Sequence, residues 1–470
     1  IYTPRTMRLR KTITTIVATA ILLAGWQLFA VIANQPELIP SLPRLVRTLC
    51  EWLVSGSFYQ SVGATILRGV LGMSISFVCA IGMAGLFARF EWVYELFRPL
   101  LAIMRSIPVI SFILLALIFL NPESIPLMIA FLTMFPLLTE NLTRGILDLR
   151  PGLSIMARQF HIKRSNVLFQ IIYPQLKPFL YSGLASAAGF GWRAIIMGEV
   201  LSQCAFGIGS EMKRAQNFIA VPELLAWTIV AVFISFFFDK GIRIPDQISI
   251  TGYDDSIYAS MVRPKLTTVD QTIPTPTLSV LDTKDISYQY GIQHFSHSFQ
   301  KGIIYGISAP SGKGKTTLLN LIGGILLPTE GEIHPTRHFG IATIFQQPQL
   351  LPHLTAEENI ILPLSSFLTE EKAQRIAQKH LQEMEMEPFG NRYPKELSYG
   401  QQQRIAIARA LAYPSPLLLM DEPFKGLDEA LSHRIIERIR EKQMKEERII
   451  LFTSHNPDEI RLLADEVIYL

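Results

Sequence analysis

The chain has 470 residues, 17% of them charged, with a mean hydropathy of +0.30 and a net charge of +4. That length allows two or three domains, the hydropathy averages two unlike halves, and so small a charge on so long a chain gives no ground for a nucleic-acid partner. Cys50, Cys79 and Cys204 all fall in the apolar half without metal or redox spacing and read as small apolar residues. The chain starts at Ile1 rather than Met and stops just after an apolar run, so both ends are expected to be truncated, with Met7 as a candidate start.

In chain order, six stretches approach the roughly 20 apolar residues that a helix needs to cross a bilayer with its backbone polar groups satisfied internally. They are about Thr12–Val31, Ile66–Phe87, Ile107–Leu120, Ile125–Leu138, Leu180–Cys204 and Leu224–Phe238. The third and fourth are short, and Pro108, Pro126 and Pro136 blur their ends. Arg5, Arg8, Arg10 and Lys11 precede the first span and hold the N-terminus in the cytoplasm. Further spans follow and no small-residue cleavage site is evident, so a signal peptide is set aside. Six crossings return the C-terminus to the cytoplasm and place the 140–178 loop there, as its Arg144, Arg150, Arg158, Lys163, Arg164 and Lys177 also require.

Within that loop, Ile155-Met156-Ala157 leads through His161 to Tyr173-Pro174. The stretch resembles the cytoplasmic motif of the membrane subunit of binding-protein-dependent ABC importers. Ala157 and Pro174 match that pattern, while Ile155 replaces its Glu and His161 its Gly. The resemblance implies a short coupling helix docked into a cleft of the ATPase. Gly191-Trp192-Arg193, Gly198-Glu199-Val200 and Gly207-Ile208-Gly209 look like the branch that imports nitrate, sulfonates, taurine or thiamine-precursor pyrimidines. Arg193 and Glu199 lie in an apolar stretch, where an ionisable group faces a water-filled path or pairs with a partner. The readings that stay open for them are lining the translocation path, a structural ion pair, or a site at the membrane surface.

Residues 241–272 run Gly-Ile-Arg-Ile-Pro-Asp-Gln-Ile-Ser-Ile-Thr-Gly-Tyr-Asp-Asp-Ser onward and are closely similar to part of the effector-binding domain of lactose-repressor-family proteins. In that family an Asp at the turn helps to bind effector, which would map to Asp254 or Asp255. A piece below about 40 residues buries too little surface to fold alone. With the rest of the pocket and the DNA-binding helices missing, neither sugar nor DNA binding is expected. The segment reads as a linker recruited by fusion or as a seam between unrelated reading frames, followed by an extended Thr272–Thr277 connector.

Beyond it, an apolar run at Ile303–Ile307 leads into Ala309-Pro310-Ser311-Gly312-Lys313-Gly314-Lys315-Thr316-Thr317 and a helix-like Leu318–Ile322. Strand, glycine loop and helix in that order form the setting of a phosphate loop, with backbone N–H groups near Gly312 and Gly314 cradling phosphate oxygens at a helix N-terminus. Lys315 would reach the β- and γ-phosphates and Thr316 would hold Mg²⁺. Ala309 stands at the pattern's first Gly and would cost roughly 1 kcal/mol if that position needed a positive φ. Leu417–Met420 reads as a buried strand ending in Asp421, a Mg²⁺ ligand through water, and Glu422, the general base.

Ser398-Tyr399-Gly400-Gln401-Gln402-Gln403-Arg404, lying between the phosphate loop and Asp421-Glu422, resembles the signature run of ABC transporter ATPases, a likeness covering residues 279–470. It implies ATP and Mg²⁺ as cofactors. It further implies nucleotide contacts from Tyr290 (or Tyr288) on adenine, from Ser311, Gly312, Gly314, Lys315, Thr316 and Thr317, and from Ser398, Gly400, Gln401 and Asp428 across a dimer of ATPases. Gln346 resembles the residue that senses Mg²⁺ and contacts the membrane subunit, and His455 the switch histidine at the γ-phosphate. Tyr399 departs from a Gly, and Lys425-Gly426 from the Ser-Ala before Leu-Asp.

The expected architecture is a membrane α-helical bundle of about six spans followed by an α/β P-loop NTPase domain of ABC type. Residues 1–240 are the permease, 241–278 the repressor-like fragment or linker, and 279–470 the ATPase. The expected function is ATP-driven import of a small polar or anionic solute, such as a sulfonate, nitrate or thiamine-precursor pyrimidine. The protein would be multi-pass in the cytoplasmic (inner) membrane, with its ATPase on the cytoplasmic side. Its partners would be membrane lipid, a second copy or equivalent ABC subunits, and an extracytoplasmic solute-binding protein. The alternatives are a chimera whose halves belong to separate subunits, and an exporter half-transporter.

Overall fold

A computed structural model describes residues 4–242, 278–289, 291–310, 312–335 and 339–470. Tyr290, Ser311 and all but the first two residues of the repressor-like stretch lie outside the described residues. Contacts divide the chain into two units, residues 1–149 with 176–251, and residues 150–175 with 252–470.

The first unit is helical. Among the described residues four helices, Gly56–Arg89, Pro122–Leu147, Arg164–Ser202 and Val221–Phe238, are long and apolar enough to cross a membrane, and Val17–Ala33 is a shorter apolar helix. The expected third span differs. Val109–Phe119 has only 11 residues and meets Glu91–Ser106 at 96°, so the two count at most as one bent span. Pro108 lacks an N–H and disfavours helix in the residue before it, which separates the two helices.

Helices Gly56–Arg89 and Ile125–Leu147 pack through small residues. Ser61, Thr65, Gly72, Ser76, Ala80 and Ala84 are buried along one face, and a Cβ on Gly72 would lie 2.5 Å from Ala130 Cβ. In an apolar solvent such close backbone approach replaces the hydrophobic drive between helices. Val78 and Ile81 on the first of these helices, and Ile118 and Phe119 on helix Val109–Phe119, are exposed.

Among its described residues the second unit holds two sheets. Strands β1 (Val280–Tyr288), β2 (Ile292–Gln300) and β4 (Glu330–His334) form an antiparallel sheet in the order β2-β1-β4. Strands β3 (Ile304–Ser308), β5 (Ile341–Ile344), β6 (Leu417–Asp421), β7 (Ile449–Thr453) and β8 (Glu466–Tyr469) form a parallel sheet in the order β5-β6-β7-β3-β8. Every residue of β5, β6 and β7 is buried, as expected of a parallel sheet covered on both faces.

Residues 150–175 belong to this unit. Helix Pro151–Gln159 starts on a proline, whose missing N–H costs nothing at that position. Its buried Leu153, Met156 and Ala157, with Phe160, Ile162 and Ile171, join the core cluster that includes Ile344, Leu351, Ile405 and Tyr413. A fully buried side chain such as Phe160 contributes about 2–3 kcal/mol through area removed from water. The expected docking of this loop on the ATPase is thus present as packed core.

Candidate functional site

The carboxyl ends of adjacent β6, β7 and β3 carry the candidate residues, which is where ligands sit in open α/β sheets. After β3 the loop turns through Gly312 at φ +80° and Gly314 at φ +90°, a left-handed conformation that suits glycine. A Cβ on Gly314 would lie 2.7 Å from Gly291 O, so the β1–β2 turn that follows Tyr288 closes over the loop. Ala309 is not among the described residues with positive φ, and the strain considered for it does not arise. Its carbonyl accepts a 2.6 Å hydrogen bond from Lys315 Nζ, at the start of helix Lys315–Ile322.

Thr316 Oγ1 donates to Asp421 Oδ2 at 2.9 Å, and Thr453 Oγ1 donates to Asp421 Oδ1 at 2.7 Å. The register that sets Asp421 opposite Thr453 makes this second bond possible. Burial pushes the Asp421 carboxyl above its usual range, against the two hydroxyl bonds that pull it down. An acceptor-only carboxylate beside a hydroxyl is an oxygen donor set that suits a hard divalent cation such as Mg²⁺.

Glu422 stands at φ +47°, aimed off the strand end, and its N–H donates to Thr453 Oγ1 at 3.1 Å. Its carboxylate lies 2.7 Å from His455 Nε2, 3.4 Å from Gln346 Nε2 and 3.4 Å from Lys425 Nζ. Gln346, Glu422 and His455, expected separately from the sequence, are therefore one cluster.

Ser398, Gly400 and Gln401 lie apart, at the N-terminus of helix Tyr399–Ala412. Ser398 Oγ accepts from Gln401 N at 3.3 Å while Gln401 Oε1 accepts from Ser398 N at 2.9 Å, a reciprocal cap. Asp428 caps helix Glu429–Glu446, its Oδ1 accepting from Leu431 N at 2.9 Å. Thr317 follows Thr316 within the phosphate-loop helix.

Three further residues tie the site to its surroundings and were not singled out from the sequence. Thr453 holds both Asp421 and the Glu422 backbone. Its place directly before Ser454-His455 at a strand end was the available signal. Arg409 is fully buried, donates to Gln349 O at 2.8 Å and Pro348 O at 2.9 Å, and lies over the Phe160 ring at 5.5 Å. Burial pulls its guanidinium down to about 10, which leaves it charged at neutral pH. Gln159 donates to Gly323 O at 2.7 Å, at the C-terminal end of the phosphate-loop helix, and accepts from Thr343 Oγ1 at 3.2 Å. Each such bond contributes about 1 kcal/mol.

In the helical unit, Glu199 is fully buried. It lies 2.8 Å from Arg68 Nη1, accepts from Thr65 Oγ1 at 2.9 Å and from Gly209 N at 3.0 Å. Of the readings left open for it, the ion pair is the one found. Arg193 is exposed, and none of the ion pairs among the described residues includes it.

Residues 292–425 match the family described as ABC transporter, residues 75–240 the binding-protein-dependent transport system inner membrane component, and residues 228–275 the periplasmic binding protein-like domain. The thiamine import ATP-binding protein of Yersinia pseudotuberculosis is 35% identical over 205 residues, covering 41% of this chain and 86% of that protein. The Fe(3+) ions import ATP-binding protein of Rhizobium etli is 35% identical, covering 38% of this chain and 54% of that protein. The glucose import ATP-binding protein of Saccharolobus solfataricus is 35% identical, covering 36% and 52%. The chain thus spans about half the length of the latter two. A solved dimeric ATP-binding cassette in a post-hydrolysis state with ADP and Pi is 31% identical, covering 40% of this chain and 94% of that one, at a TM-score of 0.38.

Proposed function

The chain belongs to the ABC transporter family, as an importer-type permease joined to its ATPase, and on that premise we propose that it imports a small anionic or polar solute as a homodimer fed by an extracytoplasmic binding protein. The observation that carries the reading is the meeting of Lys315, Thr316, Asp421, Glu422, Gln346 and His455 at neighbouring strand ends.

In this reading Lys315 and the Gly312–Gly314 amides bind the phosphates of ATP, and Thr316, Asp421 and Gln346 hold Mg²⁺. Bound MgATP supplies the phosphoanhydride bond whose cleavage drives the cycle. The Glu422 carboxylate accepts the proton of the attacking water, and His455, 2.7 Å away, orients that carboxylate. Ser398 and the Gly400 amide face the phosphate loop of the second copy, so hydrolysis needs two chains. Gln159 and Phe160 carry the motion of the ATPase to the permease.

The solute is read from the permease, because relatives of the ATPase half are named for thiamine, Fe(3+) and glucose import. The likeness of most of residues 40–238 to the nitrate, sulfonate and pyrimidine branch, together with an exposed Arg193 in a span, favours an anion.

Glu422→Gln tests the chemistry. The variant should bind ATP and close, but hydrolyse it at least 100-fold more slowly, a typical loss for a general base. Trapped radiolabelled ATP on purified protein reads it, and unchanged turnover would remove Glu422 from the role.

A further inference from the structure

Two departures from the family pattern meet at one place. Tyr399 replaces a Gly of the signature run, and Gly426 replaces the Ala before Leu427-Asp428. Gly426 takes φ +80°, and a Cβ built on it would lie 2.8 Å from Tyr399 Cδ1. The tyrosine ring therefore occupies the space that a side chain at 426 would need, so the glycine at 426 makes room for the tyrosine at 399. A Cβ on Gly400 would in turn lie 2.6 Å from Gly426 O, which seats the helix start directly on this turn. The Tyr399 hydroxyl leaves the turn and donates to Gln346 O at 2.7 Å. Burial pushes the phenol above its usual range, against the pull of Lys425, so it remains a donor at neutral pH.

We propose that Tyr399 is a positioning residue that ties, within one copy, the start of the signature helix to the Gln346 loop and the Gly426 turn. A glycine at 399 would have no group to do this. The signature run serves the nucleotide of the second copy, whereas Gln346 serves its own. Tyr399 thus links the two ATP sites of the dimer through a single hydrogen bond and a single ring contact. The inference rests on the role given above to Gln346 at Mg²⁺.

The test uses the full chain in lipid nanodiscs, with Tyr399→Phe removing the hydroxyl alone. Fluorescent ATP-analogue binding is read without turnover across a Mg²⁺ series, beside steady-state ATPase activity. Tyr399→Phe should lower the thermal midpoint by no more than one hydrogen bond's worth and keep the nucleotide affinity in EDTA. It should raise the Mg²⁺ concentration for half-saturation and lower kcat about fivefold, the weight of one neutral hydrogen bond. In a Gln346→Ala background it should add nothing. Gly426→Ala should lower the thermal midpoint beside Tyr399 and do so less beside Tyr399→Gly. Tyr399→Phe at parent values with Gln346→Ala impaired, or effects of the two that simply add, would overturn the proposal. Gln346→Ala itself at parent values would instead sink the Gln346 role on which it rests.

Discussion

Asp421 is 7% exposed, and its two carboxyl oxygens are met by the hydroxyls of Thr316 and Thr453. Burial raises its pKa in the folded state, so the sign of its contribution is fixed. Its stabilising contribution is complete below the ordinary aspartate value of 3.8 and is lost as pH rises through the raised folded value. Without nucleotide or Mg²⁺, Asp421→Asn should therefore raise the thermal midpoint at pH 7, with an advantage that vanishes below about pH 4. The same variant should lose ATP hydrolysis. Calorimetry of the two proteins across pH checks the first part. Asp421 and Glu422 were legible because a carboxylate pair after four apolar residues is conspicuous. The pairing of Glu422 with His455 was not, since it depends on how β6 and β7 align.

At the scale of elements, the coupling segment shows what a departure from pattern means. His161 takes φ +47°, which explains why the family has Gly there. A left-handed residue with a Cβ costs roughly 1 kcal/mol, so His161→Gly should stabilise the ATPase by up to that amount. Burial also holds the imidazole below its ordinary value of 6.5. A depressed pKa gives stability that is present above 6.5 and lost as pH falls toward the folded value. The advantage of the glycine variant should thus widen below pH 6.5, a trend that denaturant midpoints at several pH values would read. The sequence pattern located this segment through its basic residues and through Ala157 and Pro174, but the bond of Gln159 to Gly323 joins positions far apart in the chain, and no local pattern announces it. The spans behaved in the same way. Their apolar runs were visible, whereas the 96° bend before Val109–Phe119 depends on packing as well as on Pro108.

On the scale of the molecule, two arginines of the apolar helical half stand in contrast. Arg68 is matched by Glu199 and Glu123, while Arg193 is not matched within the described residues. An unmatched arginine facing hydrocarbon costs about 2.5–3.5 kcal/mol at the centre of a span, so its proposed place is along a path shared with a second copy. Arg193→Met should abolish uptake of an anionic solute into proteoliposomes while basal ATP hydrolysis persists. Uptake at the parent rate would show that the arginine has no part in recognition. The order of the two halves was legible from composition, because lipid-facing and water-facing chains differ in every stretch. The repressor-like stretch lies almost wholly outside the described residues, and its match is to a periplasmic binding protein-like domain.

Six side chains from residues 150–175 lie in the ATPase core cluster, where Leu153, Met156 and Phe160 are at most 1% exposed. On the proposed reading, the 150–175 loop is a ligand of the motor that is also a continuous part of the same chain. Whatever force draws that loop away during transport acts against the folding free energy of the ATPase. On the proposed mechanism, a substitution that loosens Leu153, Met156 or Phe160 would weaken coupling and motor stability together.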